Sequence, residues 1–290
     1  MNKSISKPKF AFFGTPEIAV FALEELKQAG YLPELVVTNP DARSGRKNLL
    51  TPPPAKIWAE TNDIAVLQPS TLKDHETLKE LTETKWDFFV VLAYGKIMPD
   101  WLINLPQYGT INAHPSLLPK LRGPSPIRST LLYDPEAAGV TIIQMDNQVD
   151  HGPILLQEAY PLTEPVSGLF LDEKLAKLSG QLLAEALELL PTGEIIPQEQ
   201  EHELATFTQK ITKEMGEVNI DPSNLPRGKR AFEIYQRILA LDGWPGTYFF
   251  HAGKRIKIQH ARFENDRLVI ERIIPEGRAE MSFSDYFNRH

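Results

Sequence analysis

The chain has 290 residues, 42% of them hydrophobic and 24% charged, with a net charge of −7 and no cysteine. That length exceeds one compact domain of roughly 100 to 200 residues and predicts two, and no apolar run approaches the roughly 20 residues of a membrane span. The lack of cysteine excludes disulfides, thiolate nucleophiles and Cys-ligated metal and suits a reducing cytoplasm, and the seven histidines show no metal-ligand spacing.

The opening MNKSISKPKFAFFG has an apolar run of four residues before Gly14, shorter than the roughly 7 to 15 of a signal peptide, and reads as a strand. Through residue 160 apolar runs alternate with amphipathic stretches, the pattern of an α/β domain with a largely parallel sheet. The expected strands are 9–14, 34–39, 63–68, 87–93, 109–114, 139–145 and 153–160. DFFVVLA is apolar almost throughout, as a central strand buried on both faces should be. Between the first two strands, Thr15 is placed to cap a helix, Pro16 to take its first position and Gly30 to end it. GTPEIA is not the GxGxxG of a dinucleotide site.

A long helix is expected over 168–190. The polar stretch LPTGEIIPQEQEHE follows, so the chain divides into a catalytic domain at 1–190, a linker at 191–205 and a small β-rich domain at 206–290. Residues 205–290 hold 14 Lys and Arg against 11 Asp and Glu, net +3, leaving 17 against 27, net −10, for the rest. A basic end on an acidic body is compatible with a polyanionic partner and with ordinary variation in surface charge. In this part the sequence predicts a helix at 229–241, three strands joined by AG and END turns, and a short closing helix around SFSDYF.

In an open α/β sheet the reacting groups gather where strands end. Asn112 and His114 close GTINAH two residues apart, on one side of the strand. The loop DNQVDHGP after GVTIIQM should bring Asp146 and Asp150 to the same edge. An amide donor, an imidazole and a carboxylate suit acyl-type transfer to an amine. A Ser-His-Asp triad with Ser116 or Ser125 is the alternative, although neither serine lies in a GxSxG elbow. As structural readings, Asn-x-His is a hydrogen-bonded pair, Asp150 a turn former and His151 a loop residue.

NAHPSLLPKLRGPSPI followed by GVTIIQMDNQVDHGPILLQ resembles the folate-dependent formyltransferases. The FFGTPEIAVFALEEL start, the loop PDARSGRKNLLTPPPAK, LAYGKIMP, TFTQKITKEMGEVNI and WPGTYF narrow the resemblance to the methionyl-tRNA formyltransferases, over nearly the whole chain. It implies a Rossmann-like catalytic domain, with Asn112 on the oxyanion, His114 in proton transfer and Asp150 as the carboxylate. It also implies 10-formyltetrahydrofolate as donor and no metal. The folate would lie along Ser116, Leu117, Leu118 and Pro119, enclosed near Ala93, Tyr94 and Gly95 and by Asn147, Gln148 and Val149. Initiator methionyl-tRNA is the implied partner of a monomer. It would be gripped by Arg43, Arg46 and Lys47 in the basic loop and by Lys210, with Lys213, Lys254, Arg255 and Lys257 extending the track.

Three clear strands are fewer than the usual five of an oligonucleotide-binding barrel. Either the barrel is reduced or residues 206–220 contribute to it. Two rivals share these residues. One is a formyltransferase for an amino-sugar nucleotide, which has little use for a basic insertion at Pro40 to Lys56; the other is an RNA- or folate-binding protein that has lost catalysis.

Overall fold

The structure is a computed structural model and describes residues 7–44, 48–73 and 76–287. In chain order its elements are β1 (Phe10–Phe13), α1 (Glu17–Gln28), β2 (Leu35–Val37), β3 (Ala42–Ser44), β4 (Leu49–Thr51), α2 (Pro54–Thr61), β5 (Ala65–Leu67), α3 (Lys79–Thr82), β6 (Phe88–Val91), α4 (Asp100–Ile103), β7 (Thr110–His114), α5 (Pro126–Tyr133), β8 (Gly139–Gln144), β9 (Ile154–Ala159) and α6 (Gly168–Leu189). There follow α7 (Gly228–Ala240), β10 (Thr247–His251), β11 (Lys254–Glu264), β12 (Arg267–Pro275), β13 (Met281–Ser282) and α8 (Phe283–Phe287). The chain forms two compact units, one of residues 1–126, 137–160 and 172–207, the other of 127–136, 161–171 and 208–290.

The first unit is built on a seven-stranded sheet in the order β5-β2-β1-β6-β7-β8-β9. The first five strands in that order are parallel, and β8 and β9 each run antiparallel to the strand before them. All seven expected strands form. β1 and β6 lie side by side at the centre and are buried along their full length, which is why both read as unbroken apolar runs. The strand order reverses between them, so the turns after β1 and β6 open at the switch point where open α/β sheets bind ligands. Phe13 packs edge to face on Tyr94 and tilted against Phe89, with Leu35, Leu78, Leu102 and Ile103 in the same core.

Gly14 explains the tight exit from β1. A Cβ there would meet Phe12 Cε1 at 2.6 Å, Ala19 Cβ at 2.7 Å and the Leu92 carbonyl oxygen at 2.9 Å, so a larger residue would force strand and helix apart. The sequence places Thr15 as the cap of α1 and Pro16 at its first position, but Pro16 is the N-cap, without a side-chain bond. Thr15 Oγ1 is engaged elsewhere, accepting from Asn39 Nδ2 at 3.1 Å and from Asn39 N at 3.3 Å. Gly30 does end the helix, where Gly30 N–H and Tyr31 N–H satisfy the carbonyls of Lys27 and Leu26.

The hairpin β3–β4 is additional to the expected elements. Its stretches ARS and LLT lack the apolar alternation that marks a half-buried strand, and Leu49 and Leu50 are exposed. The stretch 191–205 is stitched to the first unit rather than free. Ile154 and Gln198 exchange backbone hydrogen bonds at 2.7 and 2.8 Å, and Gln200 is buried.

In the second unit β10-β11-β12-β13 form an antiparallel sheet. Its two-residue hairpins turn on Ala252–Gly253 and Asn265–Asp266, all at positive φ, which matches the right-handed twist of the strands. Helix α7 presents Ala231, Ile234 and Ile238 at helical spacing to a core that includes Phe249, Ile256, Ile258, Leu268, Ile270 and Ile273. Val218 N–H bonds the Tyr248 carbonyl at 2.9 Å, and Val218 and Ile220 enter this core. The segment before residue 220 therefore contributes an edge bridge and two apolar side chains to a four-stranded sheet, which is a reduced form of the five-stranded barrel.

Candidate active site

The first two groups stand at the end of β7. Asn112 and His114 are two residues apart on an extended strand, so both side chains leave the same face. Val91, the last residue of β6, lies opposite Asn112, so β7 runs past its neighbour before reaching His114. His114 is only 4% exposed. Its Nε2 lies 3.0 Å from the Leu121 carbonyl oxygen; a carbonyl only accepts, so this nitrogen carries the proton. Nδ1 faces Asp150 Oδ1 at 3.5 Å. This exceeds the about 2.7 to 3.2 Å of a direct hydrogen bond and leaves a charge contact across a short gap.

Asp150 arrives from the other end of β7. The sequence suggested that β8 ends at the same edge as β7, but the connection 115–138 turns back where β7 stops, and β8 runs antiparallel. Thr141 lies opposite His114 and Gln144 opposite Ile111. The loop 145–153 therefore starts about 10 Å back along β7, at roughly 3.3 Å per residue, and returns to His114. Gly152 permits that return: a Cβ there would lie 1.8 Å from the Gln144 carbonyl oxygen. Asp150 itself takes a φ of 51°, a left-handed conformation that Asp tolerates better than most residues. Of the two aspartates only Asp150 meets His114. Asp146 Oδ2 instead accepts from His151 Nδ1 at 2.6 Å.

The second carboxylate oxygen, Asp150 Oδ2, accepts the Gly123 N–H at 2.8 Å. Burial pushes this carboxyl up, but His114, the Gly123 N–H and the Arg122 guanidinium together outweigh burial and hold it below the usual carboxylate range. Asn112 is half-buried, and its amide has no hydrogen-bond partner among the described residues. Its N–H groups are therefore available to an incoming acceptor. The triad alternative fails for Ser116, whose buried hydroxyl donates to the Lys120 carbonyl at 2.8 Å.

The SLLP segment follows directly. Ser116 and Leu118 are buried, Leu117 and Pro119 half-buried. Thr141 Oγ1 donates to the Ser116 carbonyl at 2.6 Å and accepts from Leu118 N–H at 3.1 Å, while Gln157 Nε2 donates to the Leu118 carbonyl at 2.9 Å. These bonds pin the loop from beneath. Across the β6 edge, Ala93 and Gly95 are exposed at φ values of 53° and 79°, and nothing lies within 4 Å of a Cβ built on Gly95. The Tyr94 ring is buried between them, and its carbonyl accepts from Asn39 Nδ2 at 3.1 Å. Lys96 then bonds the Pro69 and Ser70 carbonyls at 2.5 and 3.2 Å. In the Asp150 loop, Asn147, Gln148 and Val149 are exposed, and Gln148 N–H bonds Asp146 Oδ1 at 2.8 Å.

Arg122, in the loop beyond His114, gathers partners that are not legible in the sequence. Arg122, 4% exposed, directs Nε and Nη2 to Gln200 Oε1 at 3.1 and 2.6 Å, and Nη2 also bonds His202 Nδ1 at 2.8 Å. His202 stacks on His151 with centroids 4.1 Å apart and planes 6° from parallel, so His151 is more than a loop residue. Gln200 and His202 lie in a polar, aperiodic tract that offers no signal for either. Among the described residues, no group of three or more His, Asp and Glu is arranged to hold a metal ion.

Of the basic residues, Arg43 is exposed on the hairpin of the first unit and bonds the Asn48 carbonyl at 3.0 Å. Arg46 and Lys47 lie outside the described residues. Lys210, Lys213, Lys254 and Arg255 are exposed in the second unit and Lys257 is half-buried. Arg255 and Lys257 alternate on β11 with the buried Ile256 and Ile258.

The sequence matches the family model "Formyl transferase" over residues 8–187 and the model "Formyl transferase, C-terminal domain" over 210–267. The chain thus falls within the formyl transferases. Similar proteins include a methionyl-tRNA formyltransferase of Caldanaerobacter subterraneus subsp. tengcongensis, 39% identical over 87% of this chain and 80% of its own length, and one of a Geobacillus strain, 38% identical over 86% and 76%. The solved methionyl-tRNA formyltransferase of Clostridium thermocellum shares the fold, with a TM-score of 0.60 at 15% identity, over 92% of this chain and 98% of that one. The chain belongs to the methionyl-tRNA formyltransferase family. Among its described residues no helix is long and apolar enough to cross a membrane.

Proposed function

We propose that this chain transfers the formyl group of 10-formyltetrahydrofolate to the α-amine of methionine on initiator methionyl-tRNA, as a monomer in the cytoplasm. The observation that carries this reading is the convergence of Asn112, His114 and Asp150 at one end of β7, with the Asn112 amide left without a partner among the described residues.

The surroundings suit the folate. Ala93, Gly95 and the exposed loop 147–149 offer unshielded backbone groups near the strand ends, with open space at Gly95 and the SLLP segment beside them. When bound, 10-formyltetrahydrofolate supplies the formyl carbon as the electrophile. The Asn112 amide donates to the oxygen on which negative charge develops, a contribution of roughly 10²- to 10³-fold in rate. Leu121 keeps His114 Nε2 as an N–H, so the proton exchanged with the reactants passes through Nδ1, on the side of Asp150. Such proton transfer contributes about 10²- to 10⁴-fold. Asp150, held ionised by Gly123 and Arg122, stabilises the imidazolium that forms and fixes the ring.

For the acceptor, Arg43, Arg46 and Lys47 grip the acceptor end of the tRNA, and Lys210, Lys213, Lys254, Arg255 and Lys257 meet its phosphates. The hairpin supports this over an amino-sugar acceptor, because Arg43, Leu49 and Leu50 all face solvent, with no role in holding the sheet. The test is formyl transfer from 10-formyltetrahydrofolate to charged initiator methionyl-tRNA, with Arg46→Ala in parallel and across a salt series. Formylation that weakens with salt and with the substitution supports the reading. A protein that binds folate but leaves methionyl-tRNA unformylated contradicts it.

A further inference from the structure

Gln200 belongs to the polar stretch that reads as a linker, yet it is 5% exposed and all its hydrogen-bonding groups are directed at the site. Its Nε2 donates to the carbonyls of Asp150 and Gly152 at 3.1 and 2.7 Å. Its Oε1 accepts both bonds from Arg122, at 3.1 and 2.6 Å. The two segments it joins are those that define the catalytic geometry. Residues 121–123 hold His114 Nε2 through the Leu121 carbonyl and Asp150 Oδ2 through the Gly123 N–H. Residues 150–152 carry the aspartate itself, on a strained φ and two residues before a glycine with no room for a side chain.

We propose that Gln200 is a positioning residue, a clamp that fixes the Asp150 backbone against Arg122 and so holds the carboxylate at His114. This rests on the reading of Asn112, His114 and Asp150 as the catalytic trio. The chemistry selects an amide, since the side chain must donate to two carbonyls on one side and accept from a guanidinium on the other. A carboxylate would face two carbonyl oxygens, and a cation would face Arg122. The clamp also serves Arg122, whose burial is compensated by Gln200, by His202 and by the charges of Asp150 and Asp146. Without Gln200, Arg122 keeps its bond to His202, while the carbonyls of Asp150 and Gly152 lose their shared donor.

The experiment is a cycle of four proteins: the unsubstituted chain, Gln200→Met, Asp150→Asn, and the two changes combined. Single-turnover formyl transfer and the KM for each substrate are measured on all four. Gln200→Met keeps the length and removes all four bonds. It is expected to slow the chemical step roughly 10- to 100-fold, the range for about 1 Å of misplacement, with both KM values within about twofold. Placed on Asp150→Asn, it should cost less than about threefold more, because the group it positions is already gone.

Full activity of Gln200→Met, or a cost that multiplies with that of Asp150→Asn, would overturn the clamp. Near-normal turnover by Asp150→Asn alone would instead overturn the catalytic reading beneath it. If Gln200→Met does not fold, Gln200→Asn takes its place with the same expectations, since it keeps the amide but is one methylene too short to span both sides.

Discussion

Gly123 gives its backbone N–H to Asp150 Oδ2 at 2.8 Å, while the other oxygen of the same carboxylate faces His114 Nδ1 at 3.5 Å. The strong bond therefore anchors the aspartate, and the longer contact leaves the imidazole the looser of its two partners. Were the distances reversed, Asp150 would bind His114 tightly and point loosely.

The first prediction concerns acid. The Asp150 carboxyl is held below its ordinary value of 3.8, so it contributes stability that is present above that pH and is lost as pH falls through the lower folded-state value. Melting temperature measured from neutral pH downward should show an extra loss below about pH 4 in the parent chain. Asp150→Asn should be less stable at neutral pH and should lack that component.

Tyr94 sets the alkaline side. Its hydroxyl is buried without a partner among the described residues, and desolvation pushes it up to about 12 from 10.0. Between those values the unfolded chain releases a proton that the folded chain retains, so stability falls as pH rises. Tyr94→Phe removes both the orphan hydroxyl and this dependence. It should be neutral to stabilising by about 1 kcal/mol at pH 7, with a flatter decline above pH 10, by chemical denaturation.

Gly152→Ala probes the return of the Asp150 loop. The new methyl cannot share space with the Gln144 carbonyl, so loop or strand must move, at a cost of about 1 to 3 kcal/mol in stability. Turnover should fall more steeply than stability, because the displaced residue is Asp150. A variant with parent-like turnover would show that the loop position is not needed.

These contrasts show what could be read from residues alone. The sheet was legible because β1, β2 and β6 bury unbroken apolar runs, and Asn112 with His114 was legible because both close the β-type stretch GTINAH. The antiparallel direction of β8 was not, since an apolar strand looks alike in either direction. Thr15 has the residue type of a cap but serves the turn at Asn39 instead. Gln200 acts through contacts with residues 122, 150 and 152, far from it in sequence, and no local pattern encodes them.

The basic residues predict a salt dependence. If the proposed tRNA contacts are made, Lys210→Ala or Arg43→Ala should raise KM for the tRNA and reduce the slope of log affinity against log salt by about 1 each, leaving affinity for folate unchanged. Filter binding of methionyl-tRNA across a salt series checks this, and an unchanged slope would place those residues outside the interface.

The most direct test of the catalytic trio is single-turnover formyl transfer to methionyl-tRNA by Asn112→Ala and His114→Ala, with folate binding measured on the same preparations. Rates lower by about 10²-fold or more are expected for each, with folate affinity largely retained. Near-parent rates from either variant would contradict the trio.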